Sequence, residues 1–164
     1  MRKMIAVAVC LFATSAFAES NSFSVFVSNP GGGWSRTSGT TYSGGFGLEY
    51  ERQLTARWSA TASVARETYG ATSGAALPLD LTARYHIFNG ARWRPYAGAG
   101  VRYVRNPEVS GSGARITEEL TGGIAFQLNR SFSVFGEVKQ GLGRQAGPAY
   151  DPLTKTSFGL RFGF

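Results

Sequence analysis

Cysteine is almost absent from this chain of 164 residues: Cys10 is the single one, and it lies in the first apolar stretch. A disulfide framework and a thiolate metal site are therefore excluded. The glycine-rich stretches contain no Gly-Lys-Ser/Thr sequence, and no segment has the spacing of a calcium-binding loop. The sequence thus predicts neither a metal ion nor a cofactor.

Long apolar runs and clustered charges are also missing after residue 18. No later stretch approaches the run of about 18 apolar residues that a transmembrane helix requires. The formal net charge is +7, but the basic residues occur singly, which argues against nucleic-acid binding. Glycine is abundant, with 22 residues, and 13% of the chain is aromatic. This composition favours an all-β fold.

The first 18 residues have the three parts of an export signal. Arg2 and Lys3 supply a positive start, Met4–Phe12 is apolar, and Ala16–Ala18 has the small-x-small pattern that signal peptidase recognises. We expect cleavage after Ala18. Residues 1–18 are therefore predicted to be a signal peptide and residues 19–164 the mature domain.

Apolar and polar side chains alternate with a period of two through the rest of the chain. Near the C-terminus, Phe158, Leu160 and Phe162 are separated by glycine and arginine. Because successive side chains of a strand point to opposite faces, this pattern predicts strands between two different environments. It predicts eight strands, at about Ser22–Asn29, Tyr42–Glu51, Trp58–Thr68, Pro78–Phe88, Arg92–Val104, Arg115–Leu128, Phe132–Gln140 and Leu153–Phe164.

The connections between these strands alternate in length. Those after the second, fourth and sixth strands are short, and the others are long and rich in Gly, Pro and Ser. Such alternation, with strands of about ten residues and aromatics near the strand ends, is typical of outer-membrane barrels. We predict an all-β fold, an eight-stranded antiparallel transmembrane β-barrel with both termini at the periplasmic end. A soluble sandwich or lipocalin, whose apolar face points inward, is the alternative that alternation alone leaves open.

The parity of each strand assigns its side chains to lipid or lumen. The predicted lipid-facing residues are Leu81, Val101, Phe158, Leu160 and Phe162. The predicted lumen residues are Glu49, Arg84, Tyr96, Arg102, Glu119, Phe135, Glu137, Lys139 and Arg161. An eight-stranded barrel is just wide enough for side chains or one small ligand. Since an unpaired charge is costly there, we expect Arg102 to pair with Glu119, and Glu137 with Arg161.

Two motifs resemble the outer membrane protein W (OmpW) family. Leu81–Phe88, which contains Tyr-His, precedes the Arg-Pro-Tyr-Ala-Gly-Ala-Gly strand Arg94–Gly100, and Phe158–Phe164 is similar to the family's ending. Phe164 resembles the terminal signal that the outer-membrane assembly machinery reads. The resemblance implies a monomer surrounded by outer-membrane lipids and lipopolysaccharide that binds or passes small hydrophobic molecules.

Two other functions stay open on the sequence. Barrel enzymes that modify lipid A use a histidine with a serine at the outer leaflet, whereas His86 precedes Ile87 and lies near the periplasmic end of its strand. We therefore expect no enzyme, and a structural hydrogen bond for His86. The remaining alternative is a structural or surface-interaction barrel with a plugged lumen and no transport.

Overall fold

The computed structural model describes residues 20–30, 42–69, 74–88, 92–105, 115–142 and 154–164, and the predicted signal peptide lies outside them. These ranges form eight strands: β1 (Asn21–Pro30), β2 (Tyr42–Gln53), β3 (Trp58–Tyr69), β4 (Gly74–His86), β5 (Trp93–Arg105), β6 (Arg115–Gln127), β7 (Phe132–Gly141) and β8 (Thr154–Gly163). Each strand pairs antiparallel with the next, and β8 pairs with β1, so the sheet closes into a barrel. Among the described residues, no helix is long and apolar enough to cross a bilayer.

The predicted fold is confirmed, with shifts at the strand ends. The largest concerns β4, which begins at Gly74 rather than Pro78 and ends at His86 rather than Phe88. Pro78 therefore lies inside the strand, where it cannot donate a ladder hydrogen bond. The register of β4 with β3 is interrupted at this place, between the pairs that contain Leu79 and Ala76.

The outward face of the barrel carries an apolar belt. Val101, Phe158, Leu160 and Phe162 are 42–61% exposed, and Leu81 is half-buried on the same face. Neighbouring strands continue the belt with further exposed side chains. A continuous apolar surface of this kind is that of a membrane-spanning barrel. It rules out a water-soluble sandwich or lipocalin, in which this face would point inward.

Aromatic side chains pair on the outer surface at the end of the barrel with the short turns. The three pairs have ring centroids 4.6–5.2 Å apart: Trp58 with Tyr85, Trp93 with Phe126, and Phe132 with Phe162. Aromatic rings of this type collect where a membrane meets water. They indicate the periplasmic boundary of the apolar belt.

Phe158 lies in the middle of β8, so its replacement tests the belt. We expect Phe158→Arg to lower the free energy of unfolding in phosphatidylcholine vesicles by about 2–4 kcal/mol, because the charge enters the hydrocarbon core. Leu54→Arg is the control, since Leu54 is also apolar and exposed but lies in the short β2–β3 turn. It should change stability by less than about 0.5 kcal/mol. Equal losses in a urea titration would contradict the placement of the belt.

Candidate functional site in the barrel lumen

The lumen is filled with charged side chains. All nine predicted lumen residues lie inside the barrel and are at most 8% exposed: Glu49, Arg84, Tyr96, Arg102, Glu119, Phe135, Glu137, Lys139 and Arg161. Glu51, Glu67, Asp80 and Lys155 join them and are at most 4% exposed. The set of candidate site residues drawn from the sequence omitted these four. Their parity is the signal that could have found them, because each stands on the inward face of its strand.

Arg84 on β4 lies at the centre of this network and is fully buried. Its Nη2 donates to Glu49 Oε2 at 2.7 Å and to Glu137, and its Nη1 donates to Glu51 at 3.3 Å. The ring of Tyr96 lies 4.8 Å from the guanidinium carbon, and its hydroxyl donates to Glu137 at 3.1 Å. One cation therefore joins β2 to β7, two strands that are not neighbours in the sheet.

Arg161 on β8 forms the part of the network nearest the short turns. Its Nη1 lies 2.8 Å from Glu51 Oε2, its Nη2 lies 3.2 Å from Glu49 Oε1, and its Nε donates to Ser24 Oγ at 3.3 Å. The guanidinium also covers the ring of Phe135, at 4.9 Å from the centroid. Through Ser24, the first strand is attached to the same set of contacts.

His86 has a serine and a carboxylate beside it, but their arrangement differs from that of a catalytic triad. Ser59 Oγ lies 2.9 Å and Glu51 Oε1 lies 3.1 Å from the same ring atom, Nε2. Ser59 also donates directly to Glu51 at 2.6 Å. A triad engages both ring nitrogens, so that the carboxylate orients the imidazole while the other nitrogen accepts the serine proton. The contacts here give His86 a structural hydrogen bond, as the sequence predicts.

Lys139 on β7 extends the network towards the long-loop end. Its Nζ lies 2.9 Å from Asp80 Oδ2, and 3.6 Å from both Glu119 and Glu137. Glu137 is also a partner of Arg84, so Lys139 connects the central contacts to those nearer the long loops. Positive and negative groups consequently alternate along the lumen.

Lys155 and Arg102 form the part nearest the long loops. Glu67 lies between them, at 2.9 Å from Lys155 Nζ and 2.6 Å from Arg102 Nη2. Asp80 lies 3.7 Å from Lys155 and 3.8 Å from Arg102, which links both cations to Lys139. The charged network therefore continues without interruption from Arg161 to Arg102.

The two predicted ion pairs are wrong. Arg102 contacts Glu67 and Asp80 instead of Glu119, and Arg161 contacts the carboxylates of β2 instead of Glu137. The predicted partners are two positions apart in the register of β5 with β6, and four positions apart in that of β7 with β8. Glu67 lies two strands away from Arg102, and the β2 carboxylates lie two strands away from Arg161, whereas Asp80 is the register partner of Arg102 on β4. Long side chains in this narrow lumen therefore also pair with strands that are not neighbours, and equal depth on adjacent strands does not by itself determine pairing.

Aromatic side chains fill the space over inward-facing glycines. A Cβ on Gly123 would lie 2.5 Å from the Tyr96 hydroxyl, and one on Gly159 would lie 2.7 Å from the ring of Phe135. Both glycines therefore allow a ring to lie against the wall. A narrow void beside Phe26 and Phe135 has no room for a water molecule. The middle of the described lumen is thus closed by packing as well as by charge.

Solved small outer-membrane barrels are similar in fold to this chain. The N-terminal barrel domain of Pseudomonas aeruginosa OprF has a TM-score of 0.64 at 19% identity, over 90% of this chain and 98% of that one. Neisserial surface protein A gives 0.61 at 12% identity (88% and 96%), and OprG from Pseudomonas aeruginosa gives 0.56 at 14% (90% and 96%). No protein-family profile and no curated protein sequence matches the chain. The chain has the fold of the small outer-membrane β-barrels.

Removing Arg84 tests whether the network holds the barrel together. We expect Arg84→Met to lower the free energy of unfolding by about 3–5 kcal/mol, because it leaves Glu49 and Glu137 buried without their main cation. Adding Glu137→Gln should restore part of the lost free energy of unfolding, since one of the two buried carboxylates that lost their cation is then neutral. Unfolding by urea in detergent micelles measures both effects.

Arg57→Met is the matched control for this substitution. Arg57 is exposed in the β2–β3 turn and donates one hydrogen bond to Tyr85, at 2.9 Å. Its loss should cost less than about 1 kcal/mol. If Arg84→Met and Arg57→Met lower the free energy of unfolding equally, the buried network does not stabilise the barrel more than an exposed hydrogen bond does.

Proposed function

We propose that this protein is an integral outer-membrane barrel with a plugged lumen, which acts as a structural or surface-interaction protein rather than as a conduit. The continuity of the charged network from Arg161 to Arg102 is the observation that carries this proposal. A solute that moves along the axis would have to separate several buried ion pairs, each costly to break.

The sequence resemblance to the OmpW family suggests a different activity, the binding or passage of small hydrophobic molecules. An apolar molecule has no favourable surroundings among the paired charges, because it offers them no hydrogen bonds in place of those it displaces. Passage would need a route through the wall or above the network. The plugged barrel is therefore the function that the described geometry supports better.

The proposal includes the bacterial outer membrane as the location, and a monomer as the working form. The apolar belt and the three aromatic pairs support contact with phospholipid on the periplasmic side and lipopolysaccharide on the outer side. Phe164 at the end of the chain is proposed as the signal for the assembly machinery. No catalytic role is proposed, since Ser59 is fully buried and its single hydroxyl proton is donated to Glu51 rather than to His86.

Conductance in planar bilayers tests the plug. The wild-type barrel should give no large ohmic steps. Arg84→Ala with Tyr96→Ala should give discrete openings, because it removes the two large side chains that meet at the centre of the lumen, 4.8 Å from guanidinium carbon to ring centroid. Heat-modifiable migration on a gel shows that each variant is folded before it is measured.

Arg57→Ala with Tyr85→Ala is the control for the double variant. It removes the same two residue types, which also contact each other, but from the outside of the barrel. Its conductance should equal that of the wild type. Large steps from the wild-type barrel would refute the plug. Loss of hydrophobic-compound uptake in cells that lack only this protein would refute the proposal that the barrel is not a conduit.

A further inference from the structure

A cavity of about 370 Å³ opens at the short-turn end of the barrel, next to Arg161. Its volume falls within the range of about 300–1,000 Å³ that small-molecule sites occupy. The side chains that line it include His86, Arg94, Gln127, Arg130 and Ser133. The short turns of an outer-membrane barrel face the periplasm, so this cavity is reached from that side.

The lining of this cavity is basic. Arg94, Arg130 and Arg161 contribute to it, and Glu51 is the one acidic side chain among its described lining residues. Glu51 is already engaged by Arg161 at 2.8 Å and by His86 at 3.1 Å. The cavity thus holds an excess of positive charge over the negative charge available to balance it.

Arg94 differs from the other inward-facing arginines whose side chains the structure describes. Arg84, Arg102 and Arg161 each have a carboxylate oxygen within 2.8 Å. What distinguishes Arg94 is that no carboxylate lies within 4 Å of it among the described residues. Its buried Nε has no hydrogen-bond partner there, which is also true of the Nε atoms of Arg84 and Arg102, but those two guanidinium groups are neutralised by carboxylates. A buried donor without a partner is costly, so such a group usually has a bound molecule or water beside it.

We propose that Arg94 and the cavity beside it bind a small oxyanion, a carboxylate or a phosphate group, from the periplasm. The planar guanidinium matches either group with two parallel hydrogen bonds. Hydroxyl groups of Ser22, Ser131 and Ser133 line the same cavity and can donate further bonds to the anion. The site lies at the short-turn mouth and Arg94 is not part of the charged network, so the proposal does not require the lumen to be plugged.

Nuclear magnetic resonance of the folded barrel in detergent micelles tests this site. Inorganic phosphate and succinate are titrated separately, with sodium chloride at the same ionic strength as the control. The Arg94 Nε–Hε signal should shift and saturate with at least one of the two anions, and the anion that binds identifies the class of ligand. The backbone amides of Gln127 and Ser133 report binding in variants that lack the arginine.

Arg94→Gln should weaken the apparent Kd about tenfold or more, because the charged hydrogen bonds are lost. Arg94→Lys should give an intermediate Kd, since the charge stays and the bidentate hydrogen bonding of the guanidinium is lost. Arg57→Gln is the matched control: it removes an equal charge from the same end of the barrel, but from a turn outside the cavity. Its Kd should be that of the wild type.

Three results would overturn the proposal. The first is a shift that does not saturate, or that sodium chloride reproduces, since either indicates a general effect of ionic strength. The second is equal weakening by Arg94→Gln and Arg57→Gln, which indicates attraction by net charge alone. The third is no shift with either anion, in which case water alone satisfies Arg94.

Discussion

A guanidinium group enclosed by the wall of a closed sheet has to be neutralised within that wall. Arg84 meets this requirement with carboxylates from β2 and β7, and each of those carboxylates has a further cation of its own. An eight-stranded barrel leaves little interior space beyond that of its side chains. Removing any one charged side chain of the network therefore leaves its neighbours buried without a partner. The central ion pairs thus depend on the ion pairs at both ends. The closed middle of the lumen follows from this mutual dependence.

The strands and their two faces could be predicted from the sequence because both are local properties. Alternation along ten residues, such as those of β8, reports that the two faces meet different environments. It does not report which environment is inside. The structure decides this question through contacts between distant strands: Arg84 meets Glu137 across the interior, while Phe158 and Leu160 remain exposed. A lipocalin or sandwich would reverse the two sets.

The pairing inside the lumen could not be predicted in the same way. Which charges meet depends on the stagger of all eight strands and on how far each long side chain reaches. Arg102 is close in sequence register to Glu119, yet its guanidinium contacts Glu67 on β3. His86 acquires Ser59 and Glu51 as partners for the same reason, since inward side chains of the neighbouring strands β2, β3 and β4 meet at that point. Parity selects the inward residues, whereas the three-dimensional stagger selects their partners.

A lumen closed at its centre has two separate mouths, and each can carry its own chemistry. Among the described residues, the ion pairs nearest the long loops are those of Arg102 and Lys155, whose charges are balanced by Glu67 and Asp80. On the other side the charges are not fully balanced. Glu51 pairs with Arg161 and His86, and no carboxylate among the described residues contacts Arg94. Uncompensated charge at one mouth contributes nothing to the central network, so the stability of the barrel does not account for it. The proposed recognition of an anion at the periplasmic mouth accounts for this charge.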